Sequence, residues 1–481
     1  MAYTTINDPS AHHQTALYTG NGSTNTITND GHSNLRADWI WLKERSSTSS
    51  HHVFDAVRGV GSAGKALYPD TDDAEGADTA FTSFNTDGFT LANTGGFNQN
   101  GQTNVGWQWA AGGIAPTKTY KVVVVSDSGN KYRFRNSADN ATYAASAVTL
   151  DLQEGGTYTF DVSDNTVDSH PFVIGTSANS NEYSTGVVYK LDGVTKTYSQ
   201  YTSGFSAASS RQLIITVAAS APTLYYWCSV HSGMGGQINT NTLFGSTNFD
   251  GSVLSVVSVN QTAGFSIVRW TGTGSAITIG HGLSSKPQWI TAKNRNNTGG
   301  AASWPIYHRS MGSTGAEYYM KLDTDVARID SSGLWNDTEP TSTVFTANTS
   351  HQINASGGSF IAYCFTEIQG YSKFSGYTGS GTSDGTFVYT GFKPAWLLIK
   401  RKAVNHWHMF DNKRDPSNYV AKHILADLGN AEGTNTWLDF TSTGFKLRTT
   451  LVGVNGTEDY VYMAFAERPL VATNDVIATA K

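Results

Sequence analysis

The sequence predicts an all-β protein built from three related β-sandwich-type repeat units and one inserted β-sandwich. Short strand-like runs are frequent, and clusters of Gly, Asn, Asp or Ser bound each of them. No long stretch carries apolar residues at the i, i+3, i+4, i+7 spacing of an amphipathic helix. One ordered set of landmarks also occurs three times, which is typical of repeat architectures. The clearest strand-like runs are residues 39–42, 121–125, 213–217, 396–399 and 460–465.

The three repeats share their opening, a central strand and their closing strand. Each opens with an aromatic-Thr-Gly-x-Gly turn and continues to a Trp-led strand that ends in basic residues. Each closes on a strand of alternating apolar residues, which places one face on a core. The turns lie at 18–22, 270–274 and 377–381, and the closing strands at 105–109, 360–365 and 461–465. We predict the same strand order in each repeat, with Trp39, Trp289 and Trp396 at equivalent positions.

The first and third repeats carry two further motifs that the middle repeat lacks. Phe-Asp-x-x-Arg occurs at 54–58 and 410–414, and Ala-Glu-Gly at 74–76 and 431–433. Glu75 with Asp73 could be the carboxylate pair of a glycoside hydrolase. In the alternative interpretation, the two glutamates of the Ala-Glu-Gly motifs hold turns and the Asp and Arg of each Phe-Asp-x-x-Arg motif form a structural ion pair. A motif repeated at equivalent positions favours the architectural interpretation, so we predict no catalytic residue and no enzyme.

Residues between the first two repeats match none of the repeat landmarks. The predicted division is a first repeat unit at 1–113, an inserted domain at 114–245, a second repeat unit at 246–369 and a third at 370–481. Surface loops tolerate such insertions best.

Within the insert, four side chains carry metal-ligand chemistry. Cys228, His231 and Met234 follow one another at three-residue intervals, and His170 lies upstream beside Pro171. Two imidazoles, a thiolate and a weak thioether form the ligand set of a blue-copper site. The sequence therefore predicts copper as a cofactor. In the alternative, the site is empty and Cys228 is a small core residue.

The spacing of these residues, with a long separation between the first His and the Cys, resembles that of cupredoxins, the plastocyanin-like β-sandwiches. The resemblance implies a cupredoxin-like fold for 114–245. The loop between His231 and Met234 is shorter here than in that family.

Composition narrows the partners. The 481 residues include 38 acidic and 32 basic side chains, a formal net charge of −6, so we expect no nucleic-acid partner. The apolar run at 122–125 is far shorter than the roughly 20 residues that span a bilayer, so we expect no membrane insertion. The opening residues lack the basic start and apolar run of a signal peptide, which favours assembly in a cytoplasm. Two cysteines, Cys228 and Cys364, cannot form a disulfide framework.

Nearly the whole chain resembles virion structural proteins of marine tailed bacteriophages, including phages of cyanobacteria. The segments that carry the resemblance are 1–10, 18–22, 39–45, 391–395, 444–448 and 462–467. The resemblance implies a non-enzymatic protein on the virion surface, assembled in the host cytoplasm. It implies a tail fibre or tail appendage that contacts other virion proteins, forms a homo-oligomer (a trimer if it is a fibre) and reaches host-surface glycans.

Three other functions stay open at this point. The protein could be a capsid decoration or knob protein, which would bind capsid subunits rather than a receptor. It could be a glycan depolymerase, or a copper-binding electron-transfer module. The sequence does not separate tail from head.

Overall fold

The computed structural model describes residues 3–60, 65–92 and 96–471. The all-β prediction is confirmed, because strands dominate and the helices among these residues are short. In the first repeat the strands are β1 His13–Thr19, β2 Asn25–Ile27, β3 Trp39–Glu44, β4 His52–Asp55, β5 Phe81–Phe84, β6 Phe89–Leu91 and β7 Thr103–Trp109. A 3-10 helix, Pro9–Ala11, precedes β1.

The insert and its C-terminal flank follow. Their strands are β8 Thr117–Ser126, β9 Asn130–Phe134, β10 Leu150–Gln153, β11 Thr157–Asp161, β12 Phe172–Ser177, β13 Ser180–Glu182, β14 Val187–Leu191, β15 Val194–Lys196, β16 Arg211–Thr216, β17 Leu224–Cys228, β18 Gly236–Asn241 and β19 Ser246–Asn248. The helices are α1 Tyr198–Gly204 and the 3-10 turns Asn165–Val167 and Phe205–Ala207.

The second and third repeats complete the chain. The second has β20 Ser255–Asn260, β21 Phe265–Thr271, β22 Ile277–Gly280, β23 Trp289–Asn294, β24 Pro305–His308, β25 Tyr318–Lys321, β26 Ile329–Asp330, α2 Ser332–Trp335, β27 Val344–Ala347, α3 His351–Asn354 and β28 Ser359–Phe365. The third has β29 Ser372–Thr378, β30 Phe387–Tyr389, β31 Phe392–Arg401, β32 Trp407–Asp411, β33 Val420–Leu425, β34 Gly433–Thr441, β35 Gly444–Leu447, α4 Val452–Asn455 and β36 Asp459–Pro469. All five strand-like runs of the sequence lie in strands, and only Val217 extends past its strand, β16.

The predicted equivalence of the repeats is confirmed. Each repeat contains four neighbouring strands in the same order. The opening strand comes first, the closing strand second, the Trp-led strand third, and the strand that follows the Trp-led strand in the chain fourth. The orders are β1-β7-β3-β4, β21-β28-β23-β24 and β29-β36-β31-β32. The three tryptophans occupy the same register, because Trp39 faces Trp109, Trp289 faces Phe365 and Trp396 faces Phe465 across each pair.

The three repeats do not fold as separate domains. Described residues of 1–111, 259–278 and 283–481 form one compact unit. Its centre is aromatic and shared between repeats: the rings of Trp39 and Tyr363 stack at 4.7 Å, and those of Trp109 and Trp396 meet edge to face at 5.4 Å. All four are buried. Burying such large side chains stabilises the unit by on the order of 2–3 kcal/mol each, so the repeats stabilise one another.

A ring of hydrogen bonds links each repeat to another around this centre. The indole Nε1 of Trp304, in the second repeat, donates to the carbonyl of Tyr68 in the first at 2.9 Å. The indole Nε1 of Trp407, in the third, donates to the carbonyl of Lys321 in the second at 2.8 Å. His51 Nε2 of the first lies 3.0 Å from the carbonyl of Leu425 in the third. Because His51, Trp304 and Trp407 lie at equivalent positions, each four residues before the residue that faces the tryptophan of its repeat, the contacts close a pseudo-threefold ring.

Residues 112–258 and 279–282 form the second compact unit, which contains the predicted insert 114–245. One of its sheets has the strand order β10-β18-β17-β12-β13 and the other β15-β14-β16-β11-β8-β9. Both sheets contribute buried side chains to a single apolar core, as in a β-sandwich. Among the described residues, no helix combines the length and apolar character needed to cross a membrane.

Candidate metal centre

Strand register brings the predicted ligands of the insert together. Phe172, at the start of β12, lies directly opposite Cys228, at the end of β17. His170 precedes Phe172 by two residues and His231 follows Cys228 by three. Because antiparallel neighbours run in opposite directions, both histidines leave the sheet at the same end, next to the cysteine.

Three donor atoms then converge. The Nδ1 atoms of His170 and His231 lie 3.1 Å apart. The Sγ atom of Cys228 lies 3.9 Å from the first of these nitrogens and 3.7 Å from the second. Metal bonds of about 2.0–2.3 Å place tetrahedral ligands roughly 3.3–3.8 Å apart, so the separations suit a single ion. The group could therefore bind a metal.

His170 is held from several sides. Its backbone N–H donates to the carbonyl of Val167 at 2.8 Å, and its carbonyl accepts from the hydroxyl of Tyr132 at 2.8 Å. Its ring Nε2 lies 3.3 Å from the amide of Asn130. Burial, with the neighbouring His231 as a second cause, lowers the pKa of His170. A lowered pKa favours the neutral imidazole, which is the form that binds metal.

The loop after His231 depends on glycine. A Cβ on Gly235 would lie 1.7 Å from the carbonyl oxygen of Tyr226, which no side chain could tolerate. Gly233 has φ +74°, and its N–H donates to the Asn179 side chain at 2.9 Å. These contacts hold the loop close to the end of β17, where His231 and Cys228 meet.

Met234, the fourth predicted ligand, is buried in the same apolar core as Cys228. Its carbonyl accepts a hydrogen bond from the N–H of Tyr132 on β9 at 3.0 Å. Sequence reasoning missed Asn130 and Tyr132 as supports of the site, because neither belongs to a motif. Cys364, the other cysteine, is free and buried, and burial raises the pKa of its thiol, so it is poorly suited to bind metal.

Of the two carboxylates considered for catalysis, Asp73 is exposed and accepts from the hydroxyl of Thr71 at 2.9 Å, whereas Glu75 is ion-paired. Both oxygens of Glu75 accept from Arg295 of the second repeat, at 2.7 and 2.9 Å, and one also accepts from Arg58 at 3.2 Å. Burial would raise the pKa of Glu75, but the hydrogen bond of Arg295 and the charge of Arg58 lower it. Asp55 and Arg58 are bonded at 2.5 Å and have no exposed side-chain area. The ion pair predicted within this Phe-Asp-x-x-Arg motif is confirmed, and Glu75 joins the first repeat to the second rather than only holding a turn.

The third repeat reproduces the arrangement against the first. Glu432 accepts from Arg45 at 2.9 Å through both oxygens, and from Arg414 at 3.2 Å. Arg414 is bonded to Asp411 at 2.6 Å, and Asp411 also accepts from the indole of Trp107 at 3.0 Å. The first and third repeats therefore each bind a neighbouring repeat through the same Asp-Arg-Glu set.

The contact surface between two neighbouring repeats, or seam, has different residues where the second and third repeats meet. His308 takes the position of Asp55, since it faces Trp289 as Asp55 faces Trp39. Arg328 takes the position of Glu75, because its N–H donates to the carbonyl of Lys402 at 2.9 Å, as that of Glu75 does to Arg295. At these two positions the second repeat therefore carries a histidine and an arginine in place of the aspartate and glutamate, and the charge of Arg328 helps to lower the pKa of Asp459 in the third repeat.

Comparison with known proteins gives one family match. No curated protein matches the sequence significantly. A protein-family profile described as "Domain of unknown function (DUF7483)" matches residues 8–131 and 240–469. The matched segments hold the three repeats, and the His170, Cys228 and His231 group lies between them. Since the match covers more than half of its residues, the chain belongs to the DUF7483 family.

Proposed function

We propose that the protein is a non-enzymatic structural component of a phage virion surface, most simply a tail fibre or tail appendage. The observation that carries the proposal is the closed three-repeat unit. In it, the glutamates of the two Ala-Glu-Gly motifs, Glu75 and Glu432, form ion pairs with a neighbouring repeat. Such pairs serve rigidity rather than substrate turnover. The resemblance of segments such as 39–45 and 444–448 to virion proteins supports the same proposal.

Labelling of intact particles tests this function. Antibodies raised against the purified chain would be bound to gold and imaged on virions of the phage that encodes it. We expect gold along or at the end of the tail. Gold on the head would replace the tail assignment with capsid decoration, and washed virions that lack the chain would reject the virion function. Virions of an unrelated phage serve as the control.

We further propose that the His170, Cys228 and His231 group binds copper. One thiolate and two imidazoles suit copper, and Met234 follows as the candidate weak ligand. When bound, copper would supply a redox-active centre or a structural clasp at this end of the sandwich. The observation that favours it is the set of 3.1–3.9 Å separations between the donor atoms.

Metal titration of the purified protein tests the copper site. We expect one copper per chain and an intense visible absorption band from the copper–thiolate bond. Cys228→Ser should abolish the band, whereas the matched variant Cys364→Ser should keep it, because Cys364 is buried in β28. Zinc bound in preference to copper would change the metal, and no bound metal in the unaltered protein would reject the site.

A further inference from the structure

Two aromatic rings face solvent on the edge strand of the third repeat. Phe387 and Tyr389, on β30, are 47% and 56% exposed, while Val388 between them is buried in the core. Since alternate residues of a strand share a face, both rings lie on the outer side, about 7 Å apart along the strand. In the described part of the chain, neither ring stacks on another aromatic ring, and the Tyr389 hydroxyl is hydrogen-bonded to that of Tyr3.

The first repeat shows that the fold does not require these rings. Its strand β2 holds the same place, because Ile27 pairs with Phe89 as Val388 pairs with Phe445. The residues on either side of Ile27 are Thr26 and Thr28, and both are exposed. Thr26 and Thr90 approach at 3.2 Å through their hydroxyls, where the third repeat has Phe387 and Lys446. Threonine therefore satisfies the repeat at positions where the third repeat exposes aromatic rings.

Charged groups of both signs lie opposite Phe387 and on the neighbouring strands. Lys446, opposite Phe387, is 2.8 Å from Asp384. Arg448 lies 3.4 Å from the same carboxylate and 2.6 Å from that of Asp439. Two cations and two anions leave the surface with no net charge. It offers donors and acceptors side by side, together with apolar ring faces.

The size and charge of this surface decide what it can hold. The exposed parts of two such rings amount to roughly 200 Å². A stable protein partner needs about 800 Å² on each side, so the rings alone are too small for one. A neutral sugar fits better, because its C–H face can lie on an aromatic ring while its hydroxyls meet both carboxylates and cationic N–H groups.

We infer that Phe387, Tyr389, Lys446 and Arg448, with Asp384 and Asp439, form a binding surface for a neutral glycan. The inference deepens the proposed function and rests on it for its biological meaning, since a virion surface protein would use such a site on a host glycan. The binding itself is a property of the isolated chain.

Binding of the purified full chain to immobilised neutral glucan, mannan and galactan oligosaccharides tests the site. We expect saturable binding to at least one of them. The double variant Phe387→Thr/Tyr389→Thr should bind at least about tenfold more weakly. It should stay folded, because it carries the residues that the first repeat has at these positions. Val404→Thr, which alters an apolar residue that is 57% exposed elsewhere in the third repeat, should bind as the unaltered protein does.

A second double variant tests whether the glycan needs aromatic rings or only apolar side chains. It also provides an independent result in case the threonine variant misfolds. Phe387→Leu/Tyr389→Leu keeps apolar side chains and removes the rings, and we expect the same loss of binding. The inference is overturned if the unaltered chain binds none of the three glycans, if both double variants retain affinity, or if this surface captures only peptides. Gold-labelled virions without glycan binding would overturn this site alone. Glycan binding by a chain that is absent from virions would overturn only the virion function.

Discussion

His170 meets two requirements of a metal ligand: its imidazole is neutral, and the orientation of the ring is fixed. Burial lowers its pKa, which favours the neutral ring at physiological pH. Asn130 lies against Nε2, the ring nitrogen that does not face Cys228. The atom of Asn130 nearest to Nε2 is the amide nitrogen Nδ2, at 3.3 Å. A flip of the amide, which exchanges its nitrogen and oxygen, lets the oxygen accept from Nε2–H, and Nδ1 then keeps its lone pair for a metal. The orientation of a ligating histidine is generally set by such a partner on its other nitrogen.

Removal of this partner should weaken metal binding without removing a ligand. We expect Asn130→Ala to lower the copper affinity by about 10–100-fold, the usual effect of losing the group that orients a ligating histidine. Competition with a copper chelator of known affinity measures the change. Asn140→Ala alters an exposed asparagine in the turn after β9 and should leave the affinity unchanged. Equal affinities for all three proteins would show that Asn130 does not position His170.

The seam between the third and first repeats is stabilised by the carboxylate of Asp411, which is buried together with its partners. The side chains of Asp411 and Arg414 have no exposed area, and Trp107 donates to the same carboxylate oxygen. Breaking a buried pair by removing one charge is costly, because the other charge stays buried without compensation. Exposed pairs contribute far less.

Asp411→Asn should therefore lower the free energy of unfolding by about 3 kcal/mol. Chemical denaturation followed by tryptophan fluorescence measures it. The matched variant Asp30→Asn removes the partner of Lys413 in a pair whose side chains are 72% and 37% exposed. We expect that change to stay within about 0.5 kcal/mol. Similar effects from both substitutions would contradict the distinction between buried and exposed pairs in this unit.

Low pH should destabilise the seam between the second and third repeats by protonating His308. Its Nδ1 accepts from the N–H of Ser310 at 3.0 Å, and its Nε2 lies 3.3 Å from the carbonyl of Tyr462, so the folded ring is neutral. Burial, aided by the charges of Arg309 and Lys402 and opposed by the Tyr462 hydrogen bond, lowers its pKa to about 3. An unfolded histidine titrates near about pH 6.5. Between these values the unfolded chain binds the extra proton, so stability is full above about pH 6.5 and falls as the pH drops.

His308→Gln should reduce this acid sensitivity. Glutamine keeps one donor and one acceptor but does not titrate, so we expect the Tm of the variant to fall less steeply below about pH 6.5. Thermal unfolding at a series of pH values gives the slopes. His32→Gln, an exposed control in the first repeat, should keep the slope of the unaltered protein. A His308→Gln slope equal to that of the control would contradict this role.

The chain as a whole divides into two compact units. The ion-paired repeats lie in one unit, and His170, Cys228 and His231 lie wholly in the other. A ligand stabilises the unit that binds it in proportion to the logarithm of its concentration above Kd. We therefore expect copper to raise one thermal transition and Asp411→Asn to lower the other, as scanning calorimetry would show. A single transition that both changes shift would contradict independent units.

Local patterns predicted the strands and the repeat order, because alternation and turn chemistry act over a few residues. For this reason the tryptophans of the three Trp-led strands lie at equivalent positions opposite the closing strands, as predicted. The spacing of Cys228 and His231 also predicted a shared loop end. The same patterns could not assign the partner of Glu75, because Arg295 lies 220 residues away and is one of several basic residues at strand ends.

The sequence by itself determined that the chain is all-β, that it contains three equivalent repeats, and which side chains could meet a metal. Only the tertiary structure decided that the repeats close into one ring, that two seams are acidic while the third holds His308, and that Phe387 and Tyr389 stay exposed. The physical reason is the range of the forces involved. Strand formation follows neighbouring residues, whereas the choice between a buried and an exposed face depends on which distant surface packs against it.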